Sequence, residues 1–200
     1  RRFYSPVQVV AYRTAKENAM KMFFISDIPE RVDATVTATL LKMADGKKVD
    51  RKTFTVKDAR MGAISLDIPD YYHDEKARRG LDAKECFLVL EVAAKDDNGK
   101  EYACRDVAYL DTWKDSTIPQ ARVAVDSVKA LSKGQYEVVL STDKPAHFVW
   151  LAVDDPQAVF SDNAMLLLPG KTALTLTTAR AYTETQLKKA MKITHLRMTY

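Results

Sequence analysis

The sequence predicts an all-β chain that folds as two tandem β-sandwich domains. Three observations lead to this prediction. Apolar and polar residues alternate in short runs, turn-forming residues separate the runs, and the alternation stops and restarts once near the middle of the chain. Period-two alternation gives a strand one apolar face, whereas an amphipathic helix repeats its apolar residues every three to four positions.

The first half contains seven such runs. Asp45-Gly46 and Asn98-Gly99 each join two of them, and both dipeptides tolerate the positive φ angles of tight hairpins. The run at 19–25 is almost continuously apolar. Seven short strands over about 110 residues are typical of an immunoglobulin-like sandwich. The predicted strands cover residues 6–12, 19–25, 32–43, 49–56, 62–68, 86–94 and 102–110.

A second, shorter domain follows a polar linker. Residues 111–120 end in Ile118-Pro119, and we predict one domain over residues 1–113 and another over 114–200. Thr183 and Gln186 form a capping-box pair, which predicts a short helix over 183–191. The other predicted elements of this half are strands at 121–131, 135–141, 146–153, 172–178 and 192–198.

The charge distribution argues against a nucleic-acid-binding protein. The chain has 31 basic and 27 acidic residues, a net charge of +4, and the two signs are interspersed. The strongest basic cluster, Lys76, Arg78 and Arg79, lies in the charged stretch 70–84, which we interpret as a solvated surface connection. No apolar run reaches 18 residues, so no transmembrane helix is predicted. The chain begins Arg1-Arg2 without a Met or a signal-peptide pattern, and we expect a fragment.

The two cysteines lie on one predicted hairpin. A two-residue turn at Asn98-Gly99 would pair Ala93 with Cys104 and leave Cys86 further along its strand. Alternation then places the two sulfurs on opposite faces of the sheet, where they cannot be bridged. We therefore expect no disulfide between them, and the redox compartment stays open.

One motif in the second half resembles a known family. Phe160-Ser161-Asp162-Asn163, followed by Leu166-Leu167-Leu168-Pro169-Gly170-Lys171, is similar to the signature of the last immunoglobulin-like domain of β-mannosidases and related family-two glycoside hydrolases. In the first half, the stretches 6–12 and 23–27 resemble the opening strands of the preceding domain in those enzymes. The order of the two domains also matches.

The resemblance implies a non-catalytic C-terminal region of a larger glycoside hydrolase. The family's general acid sits in an Asn-Glu pair within a (β/α)₈ barrel, and none of the three asparagines here precedes a Glu. The chain also lacks the length and the β-α alternation of a barrel. Its expected partner is the catalytic domain of the same polypeptide, which would cleave β-mannosides. For such a parent one expects a periplasmic or secreted protein, although the residues leave the compartment open.

The signature also has a reading from its residue types. Asp162 and Asn163 can close a turn through side-chain bonds to backbone amides, and Pro169-Gly170 suits a second turn. Phe160 can anchor the segment on the core. We therefore predict a structural role for the whole set: Phe160, Ser161, Asp162, Asn163, Pro169 and Gly170.

Residues for other chemistry are sparse. His73, His147 and His195 are far apart in sequence without metal-ligand spacing, and Asp154-Asp155 matches no calcium-loop spacing. Each histidine is better interpreted as a surface or strand residue. We predict no catalytic residue, no metal and no cofactor.

Exposed aromatic residues leave one binding alternative open. Tyr71, Tyr72 and Trp113 fall in predicted loops or strand ends, where they could stack on a sugar ring or contact a neighbouring domain. Trp150 lies within an apolar strand and is predicted to be core. The alternatives to the accessory role are thus an independent carbohydrate-binding module, with β-mannoside glycans as ligands, and an adhesion-type scaffold.

Overall fold

The chain folds as two compact units that meet in sequence between Thr117 and Ile118. A computed structural model describes residues 5–13 and 19–199. The opening Arg1-Arg2 therefore lies outside the described residues. Among those residues, no helix has the length and hydropathy needed to span a bilayer.

The first unit is a sandwich of a three-stranded and a four-stranded antiparallel sheet. The strand order is β1-β2-β5 in one sheet and β4-β3-β6-β7 in the other. This arrangement confirms the predicted immunoglobulin-like architecture. The strands are β1 (Val7–Arg13), β2 (Met20–Ser26), β3 (Val32–Lys42), β4 (Lys48–Ala59), β5 (Gly62–Leu66), β6 (Cys86–Asp96) and β7 (Glu101–Tyr109).

Alternation along the strands builds the core of this unit. In β2, Met22 and Phe24 are fully buried, while the residues between them are only half-buried. In the four-stranded sheet, Leu40 on β3 is directly paired with Leu88 on β6, and both side chains are fully buried. Removing each of these side chains from water stabilises the fold by about 1.5–3 kcal/mol.

The second unit repeats the same plan with shorter strands. Its four-stranded sheet has the order β11-β13-β9-β8, and its three-stranded sheet the order β12-β10-β14. A 3₁₀ turn, Leu196–Met198, ends the described chain, so only the first part of the strand predicted at 192–198 forms. The elements are β8 (Val123–Ser132), β9 (Gln135–Thr142), β10 (Ala146–Ala152), β11 (Val159–Phe160), β12 (Met165–Leu167), β13 (Gly170–Thr177), α1 (Glu184–Ala190) and β14 (Lys192–Thr194).

Helix α1 begins at the predicted capping box. The Thr183 hydroxyl accepts from the Gln186 amide at 3.2 Å, and the Gln186 side chain accepts from the Thr183 amide at 2.9 Å. This reciprocal pair satisfies two amides that the helix itself leaves without partners. The helix places Leu187 in a core that also contains Leu140 and Leu176. The all-β class with one short helix near the C-terminal end is confirmed.

The β6–β7 hairpin corrects the predicted register. Its loop holds three residues, because Asp96 and Lys100 close it with a backbone bond and Gly99 takes a φ of 81°. The Asp96 carboxylate accepts from the amides of Asn98 and Lys100, both at 2.9 Å, which fixes the longer loop. Cys104 therefore pairs with Val92 and not with Ala93.

This register also corrects the predicted faces of the cysteines. Directly paired residues share a face, and Val92 shares its face with Cys86. Cys86 and Cys104 thus lie on the same side of the sheet. Six residues of strand, about 20 Å, separate them along it. The two sulfurs form no disulfide with each other, as predicted, but the reason is distance along the strand.

Candidate functional site

Most residues of the segment 70–85 are exposed, as expected of a surface connection, but the segment is ordered around Arg78, which was interpreted as part of a solvated basic cluster. Arg78 is only 7% exposed. Its guanidinium donates to the carbonyls of Tyr71 at 2.7 Å, Tyr72 at 2.6 Å and Leu81 at 2.7 Å. One buried cation therefore joins the start of the segment, at Tyr71 and Tyr72, to its later part at Leu81. Hydrogen bonds from a charged donor to carbonyl groups are stronger than those from a neutral donor. The segment ends in a capped 3₁₀ turn, Ala83–Glu85.

Tyr71 lies inside the first unit and is not available as a sugar platform. Its side chain is fully buried, and its hydroxyl donates to Asp50 on β4 at 2.6 Å. Burial, together with this bond and the charge of Asp50, raises the pKa of Tyr71 far above its usual range. The expectation of an accessible Tyr71 is wrong, because a long-range partner draws the phenol inward.

Tyr72 and Trp113, the other two predicted contact residues, are accessible but are not brought together. Tyr72 is half-buried; the Arg13 guanidinium lies 4.2 Å from its ring centroid, and the His73 ring meets it edge-on. Trp113 is half exposed and packs edge-to-face on Tyr109, with 6.0 Å between ring centroids. Their role in binding a sugar or a domain stays a prediction.

Trp150 is more exposed than the sequence predicts, whereas Tyr71 is more buried. It was expected in the core, but 54% of its surface is exposed. Val149 and Leu151, its neighbours on β10, take the inner positions, so alternation turns the indole outward. A wholly apolar run does not reveal which of its residues face the core.

The signature residues connect three strands of the second unit. Asn163 Oδ1 accepts from the Leu151 amide at 2.7 Å, and its Nδ2 donates to the Leu151 carbonyl at 2.9 Å. Ser161 forms a comparable pair with Thr175: its amide donates to the Thr175 carbonyl at 2.8 Å and its hydroxyl accepts from the Thr175 amide at 3.0 Å. These side chains thus extend two sheets where the strands have ended.

The remaining signature residues occupy the ends of this segment. Phe160 is paired with Leu176 and packs against the core. Asp162 accepts from the Asn163 amide at 2.9 Å. Pro169 is exposed and precedes Gly170, which opens β13 with a φ of 116°. The short strands β11 and β12 were missed at the sequence level, because runs of two or three residues show no alternation.

The outer face of the three-stranded sheet of the first unit combines apolar side chains with Gln8, Lys21 and Ser65, which are paired with Ile25, Tyr12 and Phe23 on that face. Tyr12 is 50% exposed and stacks on Phe23, with 5.8 Å between ring centroids. Val10 and Ile25 lie on the same face, and Met61, beside β5, is 61% exposed. We call Val10, Tyr12, Phe23 and Ile25 the β1-β2 face. Sequence reasoning missed it, although the continuous apolar run at 19–25 is the pattern of a strand covered on both sides.

The structure brings two of the three histidines together, because His147 and His195 interact inside the second unit. His73 contacts Asp70 at 2.8 Å on the surface of the first unit. His147 and His195 are buried in the second unit, and burial lowers the pKa of both, that of His147 to about 4. Within the described residues, no three His, Cys, Asp or Glu side chains are placed to hold a metal ion together.

Comparison with known proteins finds the same immunoglobulin-like fold in other proteins. Residues 114–199 match the family model Ig_mannosidase, an Ig-fold domain. Over 97% of its length the chain superimposes on a β-D-mannosidase from Dictyoglomus thermophilum, with a TM-score of 0.60 and 16% identity. A red sea bream transglutaminase aligns with 96% of this chain and 31% of its own, at 13% identity and a TM-score of 0.36. A search of curated proteins finds no sequence match.

Two sandwiches with paired three- and four-stranded sheets define the chain as a pair of immunoglobulin-like domains. Residues 114–199 match, more particularly, the mannosidase-type Ig fold, and the fold of the chain is similar to that of part of a β-D-mannosidase. The resemblance drawn from the signature at 160–171 is thereby confirmed. The chain spans 22% of the length of the Dictyoglomus enzyme.

Proposed function

We propose that this chain is a non-catalytic accessory region of a β-mannosidase-like glycoside hydrolase and that it braces the catalytic domain of the same polypeptide. One observation carries the proposal: both units align in order with a single β-D-mannosidase, along 97% of this chain but only 22% of that one. The larger part of such an enzyme is the expected place for the two carboxyl groups of glycoside hydrolysis, about 5 Å apart in retaining enzymes.

The β1-β2 face is the surface that we assign to this contact. Its residues present aromatic and aliphatic groups to solvent, and an exposed apolar patch of this kind marks an interaction site. The outer face of the opposite sheet differs, because its central row holds Thr35 and Thr55 with Ala93 and Ala103. Covering the β1-β2 face with the catalytic domain would bury apolar surface at about 25 cal/mol per Å².

Bracing is a physical effect on the parent enzyme. If the accessory region binds the folded catalytic domain but not the unfolded one, the contact raises the free energy of unfolding of the catalytic domain. Because the two parts belong to one polypeptide, the effective concentration of the accessory region is high, and even a weak contact is largely formed. The expected consequences are a more stable catalytic domain and a fixed rim around its substrate cleft.

The test compares two charge insertions in the isolated chain. Phe23→Lys places an ammonium group in the β1-β2 face, and Thr53→Lys adds the same group to the outer side of the four-stranded sheet. Each variant is titrated calorimetrically into the separately produced remainder of its parent polypeptide. We expect the Phe23 variant to lose at least ten-fold in affinity while the Thr53 control binds like the unchanged chain, with both folded by circular dichroism. Equal affinities for all three chains would contradict the assignment of this face.

A further inference from the structure

The C-terminal segment, residues 192–199, is anchored to the second unit through one buried side chain. His195 is 5% exposed, whereas every other residue of the segment is exposed or half-buried. Ile193 packs on the core as a half-buried side chain, and strand β14 is only three residues long. An element with so little buried surface opens more easily than the sheet behind it. The attachment of this segment therefore depends largely on His195.

The backbone register brings His195 close to His147. Thr194 is directly paired with Trp150 on β10, so the next residue of the segment, His195, follows beside Val149. His147 lies two residues further along β10 and is 1% exposed. The 3₁₀ turn that follows His195 also lies beside β10. The two imidazole rings therefore belong to one buried cluster, in which they interact.

The two histidines differ in how freely they can move. His147 lies where β10 is bulged, because the pairing with β12 shifts register between residues 146 and 149, and Phe148 in this bulge has a φ of 52°. Strand β10 is also the central strand of its sheet, with β12 on one side and β14 on the other. His195 lies near the end of the described chain, and its ring is bonded to the backbone of Ala121. A disturbance of the cluster therefore displaces His195 and leaves His147 in place.

The elements around this cluster do not supply an acid to balance an added proton. Lys192 on β14, Arg197 on the 3₁₀ turn and Arg122 at the start of the unit are all cations. The acids Asp155 and Asp162 lie in the two loops at the other end of β10. Every buried side chain of the opposite, four-stranded sheet is uncharged: Val128, Tyr136, Val138, Leu140, Thr142, Leu174 and Leu176.

Protonation is therefore linked to the position of the segment. Burial and the charge of His195 lower the pKa of His147 to about 4, and burial lowers the pKa of His195 despite its bond to Ala121. A histidine in water binds a proton near pH 6.5. The clasped state excludes protons that the released state binds, so its advantage is complete above pH 6.5 and is lost as the pH falls toward 4.

We propose that His147 and His195 form a proton-sensitive clasp, which on acidification releases the C-terminal segment 192–199 from β10 while the rest of the second unit keeps its fold. The segment leaves together with β14 and uncovers one edge of β10. This device is separate from the β1-β2 face and does not depend on the docking of a catalytic domain.

The test is native-state hydrogen exchange of the whole chain at pH 7.5 and pH 5, in urea below the unfolding transition. The amides of β14 are expected to exchange through an opening that urea hardly changes, because little surface is exposed in it. Their protection, corrected for intrinsic exchange rates, should fall about ten-fold or more between the two pH values. The amides of β9 should stay more protected and exchange through an opening that urea strongly promotes. The same urea dependence in β14 and β9, or no loss of β14 protection at pH 5, would overturn the proposal.

Variants then assign the response to the two histidines. His147→Gln is expected to reduce the loss of β14 protection to less than about three-fold. His73→Gln, on the surface of the first unit, is the matched control and should keep the loss in full. His195→Gln, which retains a side-chain amide that can bond to the Ala121 backbone, is the second variant and should also weaken the response. A loss of protection that persists undiminished in both variants would show that the clasp does not exist.

Discussion

Asn163 pairs with both backbone groups of Leu151, as a neighbouring strand would. Its amide oxygen lies 2.7 Å from the Leu151 nitrogen and its amide nitrogen 2.9 Å from the Leu151 oxygen. A single side chain thus continues the three-stranded sheet at a position where β12 has not yet begun. The most recognisable motif in the sequence therefore has a physical explanation that requires no catalysis.

Removing this side chain is expected to destabilise the second unit. Asn163→Ala leaves the amide and the carbonyl of Leu151 without partners, which costs about 2–4 kcal/mol. The measurement is urea unfolding in a Trp113→Phe background, where Trp150 is the one tryptophan left and reports on the second unit. Asn98→Ala, in a hairpin loop of the first unit, should leave the same transition unchanged. A loss below 0.5 kcal/mol (about the level of a neutral surface change) would contradict the structural role.

Gly134, in the β8–β9 turn, is expected to tolerate no side chain. Its φ is 73°, and a β-carbon built there would lie 2.7 Å from the Thr178 carbonyl oxygen. That carbonyl belongs to a backbone segment held by the bond from the Thr178 amide to the Gly134 carbonyl, so it cannot move aside freely. Gly134→Ala should cost about 3 kcal/mol.

Gly99 provides the matched comparison. It also has a positive φ, 81°, but the nearest atom to its built β-carbon is the end of the Lys95 side chain at 3.7 Å. Gly99→Ala should therefore cost only the backbone strain, about 1 kcal/mol. Thermal unfolding of both variants checks the difference, and equal losses would show that the Thr178 contact is unimportant.

The Tyr136 hydroxyl ties β9 to the segment before helix α1. It donates to the Tyr182 carbonyl at 2.9 Å and accepts from the Tyr182 amide at 2.7 Å. Tyr136→Phe keeps the buried ring but leaves both groups without this partner, and we expect a loss of about 2 kcal/mol. Tyr12→Phe, at an exposed ring, is the control and should be neutral. Hydrogen exchange of the Tyr182 amide should accelerate in the Tyr136 variant alone.

Stability of the second unit is expected to fall as the pH is lowered from 7.5 to 5. Burial and the nearby His195 lower the pKa of His147 to about 4, so the folded unit excludes a proton that the unfolded chain binds near pH 6.5. A depressed pKa contributes stability above the unfolded value, and this is lost as the pH falls toward the folded value. Between pH 7.5 and pH 5, this shift lowers the free energy of unfolding by roughly 2 kcal/mol.

A variant that lacks only His147 identifies the group responsible. His147→Gln should remove most of this pH dependence, whatever its effect on stability at pH 7.5. His195, whose pKa is also lowered by burial, would account for the remainder. Urea midpoints that fall equally with pH in both chains would show that His147 does not carry the effect.

The strands could be predicted because one face of each sheet is buried. In β9, for example, Tyr136, Val138 and Leu140 are all buried, and their spacing is visible in the sequence. Side-chain positions that depend on a distant partner could not be predicted. Tyr71 is drawn inward by Asp50, 21 residues away, and Arg78 by carbonyls that converge only after the segment folds.

Two further errors each have a local physical origin. The loop of the β6–β7 hairpin gained one residue because the Asp96 side chain binds the amides of Asn98 and Lys100. That local competition shifted the register and moved Cys104 to the other face. Likewise, Trp150 sits in a run that is apolar throughout, where composition cannot reveal the inward side.

The most direct measurement of the central claim is mannoside hydrolysis by the chain and by its parent. The purified chain should release no nitrophenol from a nitrophenyl β-mannoside at any concentration. Added to the separately produced remainder of the parent polypeptide, it should lengthen the half-life of that activity on heating, and the Phe23→Lys variant should not. Hydrolysis by the chain alone, or a half-life unaffected by it, would contradict the account.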